Sequence, residues 1–143
     1  PIMGVFKRFV VSTNFDANNL ENSFVRAIID TTSLFMPYDE LSKALKSEDW
    51  FNVDAFPRAV FSSKTITHLK DNRYQADGHL KILGIAKPVS LNFTYEEVAK
   101  NHAKITGYAK VSRQEYNIGQ GEWKKPNVLS NQVGIIFLLE ATY

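Results

Sequence analysis

Seven stretches of this chain alternate apolar and polar side chains with period two, and nothing else in the sequence restricts the fold as much. A strand with one buried face repeats every two residues, whereas a helix repeats every 3.6. Residues 4–16 put Phe9, Val11, Thr13 and Phe15 on one face. The three-residue step from Phe6 to Phe9 predicts a bulge or a strand start near Lys7-Arg8, and Asn18-Asn19 reads as a turn. Residues 23–31 put Val25, Ala27 and Ile29 together, with Arg26 opposite. Residues 58–67 align Ala59, Phe61, Ser63 and Thr65. After a turn at Asp71-Asn72, residues 74–83 align Tyr74, Ala76, Gly78, Leu80 and Ile82. Residues 84–88 turn the chain, and 89–95 follow with Val89, Leu91, Phe93 and Tyr95. Residues 102–113 align Ala103, Ile105, Gly107, Ala109 and Val111. Residues 132–142 align Val133, Ile135, Phe137, Leu139 and Ala141, but Ile136 and Leu138 make the opposite face apolar too. That last strand is therefore expected to be covered on both sides.

One segment departs from the pattern. Leu41, Ala44 and Leu45 recur at helical spacing within residues 38–46, just after Pro37, which suits a helix start. Residues 47–51 can add a short turn that ends before Pro57. The helix falls between the second and third strands, where it can plug one end of a barrel.

Seven short strands with this spacing predict an all-β antiparallel sandwich or barrel. In an up-and-down meander the first and seventh strands run the same way, so they cannot close an antiparallel barrel; eight strands can. The sheet stays open, closes irregularly, or lacks a first strand upstream of Pro1. The chain opens Pro1-Ile2-Met3-Gly4 without an initiator Met, so processing or trimming is expected.

The 143 residues fit one domain, 1–143, on a prior of ~150 residues per domain. Cysteine is absent, which excludes disulfides, thiolate metal sites and a thiol nucleophile. A net charge of +2, from 17 basic and 15 acidic residues, is not that of a nucleic-acid binder. No apolar run reaches the ~18 residues of a helical membrane span. His68, His79 and His102 have no partners at metal-ligand spacing, and the phase turns His79 and His102 outward. There is no G-x-S-x-G elbow and no phosphate loop. Asp30, Glu115 and Glu122 read as strand-end caps or salt-bridge partners, and Lys124-Lys125 as a solvent-facing basic pair. No catalytic constellation emerges, and an enzyme is not expected.

Several motifs then resemble a known family. Ile29-Asp30-Thr31-Thr32-Ser33 is similar to its IDxxS strand end. Residues 45–53 (LKSEDWFNV), Phe56-Pro57 and Phe61-Ser62-Ser63 resemble its central motif. Residues 78–84 (GHLKILG) with Lys87-Pro88-Val89, and Val111-Ser112-Arg113 through Tyr116-Asn117-Ile118-Gly119, are similar to two more. The family is the YceI-like, polyisoprenoid-binding, lipocalin-like family of bacterial periplasmic and secreted proteins, and the resemblance covers nearly the whole chain. Its members usually carry another strand before Gly4-Val5-Phe6. Residues 119–123 (GQGEW), with Asn131 nearby, resemble a branch found alongside membrane cytochrome b proteins, which raises quinone as a candidate ligand.

The resemblance implies an extended eight-stranded antiparallel barrel with a short helix, whose apolar interior holds a polyprenyl, quinone or fatty-acid-like tail. Residues 102–113 would span roughly 35–40 Å at ~3.3 Å per residue, which suits a long tunnel. The candidate wall begins with Phe9 and Phe15 on the first strand and Val25, Ala27 and Ile29 on the second. Phe61, Leu80, Ile82, Leu91 and Phe93 continue it, and Ile105, Gly107, Ala109 and Phe137 complete it. Small residues, Ala59, Gly78 and Ala103 among them, would leave room; they equally mark close backbone packing. Arg113 shares the phase of Ile105 and Val111 and would point inward near a barrel mouth. It reads either as an ion pair with Asp30 or Glu115, or as a contact to a phosphate or quinone head. Three readings follow: a lipid carrier in the periplasm or outside the cell; an enzyme in the same pocket; a filled-core interaction protein accessory to a membrane cytochrome b partner, with Trp123 and Tyr116 as contacts. The first is favoured, with a lipid as ligand, no cofactor and no metal. An unpaired edge would also invite a homodimer.

Overall fold

The computed structural model describes residues 4–118 and 132–142. Seven strands form one antiparallel sheet: β2 (Phe9–Asn14), β3 (Phe24–Asp30), β5 (Arg58–Lys70), β6 (Arg73–Ile82), β7 (Ile85–Ala99), β8 (His102–Ser112) and β9 (Gln132–Thr142). They lie in that order, so each strand pairs with its successor in the sheet and β2 and β9 form the two edges. The sheet curls strongly into a half-barrel. An odd number of antiparallel strands leaves β2 and β9 pointing the same way, as the parity argument requires. The period-two patterns emerge as buried faces: Tyr74, Ala76, Leu80 and Ile82 on β6, and Val89, Leu91 and Phe93 on β7, all turn into the concave side.

Departures from the simple pattern have local causes. The first run is broken at Lys7-Arg8. Its head, β1 (Val5–Phe6), leaves the main sheet and pairs with β4 (Leu34–Phe35), a two-residue strand too short to show a period. The break is fixed by Arg8, whose Nε donates to Asp30 Oδ2 at 2.9 Å and whose backbone N–H donates to Ser33 Oγ at 2.9 Å. Bonds from Thr32 first, then from Arg8, hold the Asp30 carboxyl below its ordinary pKa. Asp30 is thus committed to Arg8, not to Arg113.

On β5 the register shifts between Ser63 and Thr65, so Lys64 is an extra residue. Thr65, expected to face inward with Phe61 and Ser63, is exposed; Ile66 takes the buried place. Gly78 pairs with Ser63 beside this bulge, and a Cβ there would run into the backbone of Ser62 and Ser63. Its smallness serves that close approach, not a ligand.

Helix α1 (Asp39–Lys46) lies between β4 and β5. Asp39 and Glu40 in its first turn and Lys43 and Lys46 in its last match the sign of its dipole. The following loop, turned by Asn52 at φ 43°, delivers Trp50 into the core, with Leu45 and Phe51 packed alongside. This assembly closes one end of the half-barrel around Phe61, Leu80, Ile82 and Ala109.

β8 ends at Ser112. Arg113 does not extend the strand but opens a one-turn 3-10 helix, Arg113–Tyr116. Arg113 still points inward: it is 1% exposed, at the closed end, its guanidinium carbon 5.6 Å from the Trp50 ring centre. One of its terminal nitrogens donates to the Ile118 carbonyl at 3.0 Å. Tyr116 from the same turn is 1% exposed and donates its hydroxyl to the Leu80 carbonyl at 3.0 Å. Burial first, then the Glu115 charge, pushes this phenol up to about 12. An unfolded tyrosine ionises near pH ~10. The stability that Tyr116 contributes is therefore whole below pH ~10 and drains away as the pH climbs towards the folded value. Melting temperatures measured across that window should fall less steeply for Tyr116→Phe than for the parent chain. Equal slopes would remove Tyr116 as the cause.

The expected cover on both faces of β9 is also corrected. Ile136 and Leu138 are 68% and 67% exposed on the convex side.

Candidate functional site: an apolar trough

Away from the closed end, the concave face opens into a shallow trough that holds a cavity of about 30 Å³. Five strands supply its walls. Val11, Thr13 and, just past its end, Phe15 come from β2, and Val25 comes from β3. Leu91, Phe93 and Tyr95 come from β7, Ile105 from β8, and Phe137 and Leu139 from β9. Because β2 and β9 line one cleft, the two sheet edges face each other across its open side.

The lining is almost wholly hydrocarbon. Its one short hydroxyl is already used, since Thr13 Oγ1 donates to the Phe24 carbonyl at 2.8 Å. At one end the aromatic rings pack on one another. Phe15 stands 5.0 Å from Tyr74 and 5.8 Å from Phe93, both edge-on, and 4.7 Å from Tyr95. Tyr74 stacks on Phe93 at 5.6 Å, and His68 lies tilted against Tyr74 at 5.0 Å. Such a surface offers a ligand dispersion and burial, and little to orient a polar head.

Of the fifteen residues the sequence nominates, the trough brings together six: Phe15, Val25, Leu91, Phe93, Ile105 and Phe137. Phe61, Leu80, Ile82 and Ala109 are instead packed in the core nearer the closed end, where Trp50 and Tyr116 cover them. Ala27 and Ile29 are half-buried against that core. Phe9 is 44% exposed on the β2 edge. Gly107 leaves no free room, because the Phe137 ring lies over it and a Cβ there would strike that ring. Arg113 belongs to the closed end. Four lining residues were missing from the nominated wall: Val11, Thr13, Tyr95 and Leu139. All four are in phase with nominated neighbours, so alternation alone could have found them.

His79 is exposed, and His102 Nε2 lies 3.6 Å from Glu140 Oε2 on the outer face. Among the described residues, no group of three or more His, Asp or Glu side chains is placed to hold a metal. Glu122, Trp123, Lys124-Lys125 and Asn131 lie outside the described residues.

Comparison with known proteins agrees with this architecture. A UPF0312 protein of Photorhabdus laumondii is 35% identical over 91 residues, which are 64% of this chain and 47% of that protein. One from Vibrio vulnificus is 30% identical over 122 residues, 82% of this chain and 65% of that protein. The matches thus span about half to two thirds of the curated relatives' length. Among solved structures, Burkholderia cenocepacia BcnA superposes with a TM-score of 0.93 at 29% identity, covering 97% of this chain and 87% of that one. A polyisoprenoid binding domain from Saccharophagus degradans shares the fold, with a TM-score of 0.71 at 12% identity over 97% of this chain and 84% of that one. The family described as YceI-like domain matches residues 1–141, and the chain belongs to it.

Proposed function

We propose that this protein binds the hydrocarbon tail of an isoprenoid or related long-chain lipid in the trough and carries it without chemical change. The observation that carries the reading is the lining: ten side chains from five strands converge on one cleft and leave it nearly free of polar groups. Each CH₂ buried there contributes ~0.8 kcal/mol before entropic costs, so a tail needs few polar contacts. Ligand sites usually offer ~300–1,000 Å³, and the cavity here, about 30 Å³, is far smaller than that. A long tail must therefore swing the half-buried Phe15 ring aside or lie partly along the open side. Support also comes from the fold shared with the Saccharophagus degradans domain, which is described as polyisoprenoid binding. The proposal includes a periplasmic or secreted location, supported by the periplasmic and secreted proteins the sequence resembles.

The test is native mass spectrometry of the purified protein, followed by organic extraction. A stoichiometric adduct of lipid mass, or its appearance after adding a polyprenol, a quinone or palmitate, is expected. A mass that stays apo with all three defeats the proposal.

A further inference from the structure

The strand that forms one lip of the trough is apolar on both sides. Phe137 and Leu139 of β9 face the trough, while Ile136 and Leu138 face solvent. Tyr108 of β8 lies opposite Ile136 in the register and is 40% exposed beside it. On the other lip, Val11 and Thr13 of β2 face inward, and Val10 is 64% exposed on the outside. Exposed side chains of this size are ordinary when scattered singly; here Tyr108, Ile136 and Leu138 are neighbours on one rim of an open apolar cleft, and Val10 lies on the other.

We infer that the outer faces of these lips dock on a lipid bilayer, so that the open side of the trough meets the membrane. Four side chains do not make a stable dimer, which takes roughly 20–30 residues from each partner. They are enough for reversible seating at a membrane interface, where a few aliphatic groups, one tyrosine and an adjacent cation act together. That cation is Lys110, which lies opposite Gly134 next to the patch. Lys104, by contrast, sits between Glu96 and Glu140 in the register. Seated this way, a tail passes from bilayer to trough without crossing water. The purpose of the docking rests on the lipid-binding proposal, but its test does not.

The test is co-sedimentation with vesicles of equal parts phosphatidylethanolamine and phosphatidylglycerol, and with phosphatidylcholine vesicles for comparison. The parent chain should sediment with the anionic vesicles. The double variant I136S/L138S should bind about tenfold more weakly or worse, since it removes the aliphatic part of the contact. Lys110→Glu, a surface change that leaves the core alone, should weaken binding to the anionic vesicles and not to phosphatidylcholine. Uptake of a fluorescent fatty acid in vesicle-free solution should be unchanged in both. A parent chain that stays in the supernatant with both vesicle types overturns the inference, as do variants that sediment like the parent. A solution mass of two copies that falls to one in I136S/L138S also overturns it, because the patch then serves a second chain. Variant-sensitive sedimentation without fatty-acid uptake would uphold the docking surface and sink the carrier reading instead.

Discussion

Trp50→Ala is expected to cost about 3–5 kcal/mol of folding stability, the range for deleting a large aromatic from a core. Trp50 is 5% exposed although it sits on a loop, and it joins three pieces of chain. Leu45 of α1 and Phe51 pack with it into the core, and Arg113 from the turn after β8 covers its ring. Removing the indole leaves a cavity that these groups cannot fill, because each is tied by backbone bonds such as Phe51 N–H to the Leu45 carbonyl. In a chain of this size, such a loss lowers the melting temperature by about 10 °C or more. Thermal denaturation followed by circular dichroism measures it. A fall below about 1 kcal/mol would mean that the loop does not close the half-barrel, since losses that small belong to surface positions.

The second large effect concerns binding. Leu139→Glu puts a carboxylate on the lip of the trough, in a wall of hydrocarbon apart from the Thr13 and Tyr95 hydroxyls. Leu139 is half-buried at the sheet edge, so the free protein can turn the new side chain towards water and stay folded. A bound tail removes that escape. The cost of an unpaired polar group against hydrocarbon is about 1–3 kcal/mol, at its upper end a hundredfold in affinity. Leu139→Met, which keeps volume and apolarity, should bind like the parent. Titration with a fluorescent fatty acid compares the three proteins. Unchanged affinity for Leu139→Glu would place the ligand away from this wall.

The main sheet was legible because period two survives any amount of sequence change on the polar face, and seven strands in order leave one meander. Its fine structure was less so. Lys64 shows nothing that distinguishes an extra residue from an ordinary outward one, so Thr65 was assigned the face that Ile66 occupies. Arg113 is buried as its phase suggests, but the phase does not show that β8 stops at Ser112 and that Arg113 opens a 3-10 turn with Tyr116. The bare outer face of β9 was hidden for a different reason. An apolar residue states a preference for burial, and only the tertiary fold shows whether anything is there to bury it. The trough itself was half visible. Alternation gives a face, but the division of that face into packed core and open cleft depends on how far α1 and its loop reach along it.

The bulge on β5 has a consequence for the whole cavity. An extra residue on one strand bends that strand and tightens the twist of the sheet around it, and Gly78 lets the neighbouring backbone close into the bend. Curvature in a strand meander decides how far apart its first and last members come to rest. Lys64 thus acts as a spacer that sets the calibre of the channel from the opposite wall. Its deletion would leave every side chain on its present face and yet relax the arc, widening the bore without altering one residue that lines it.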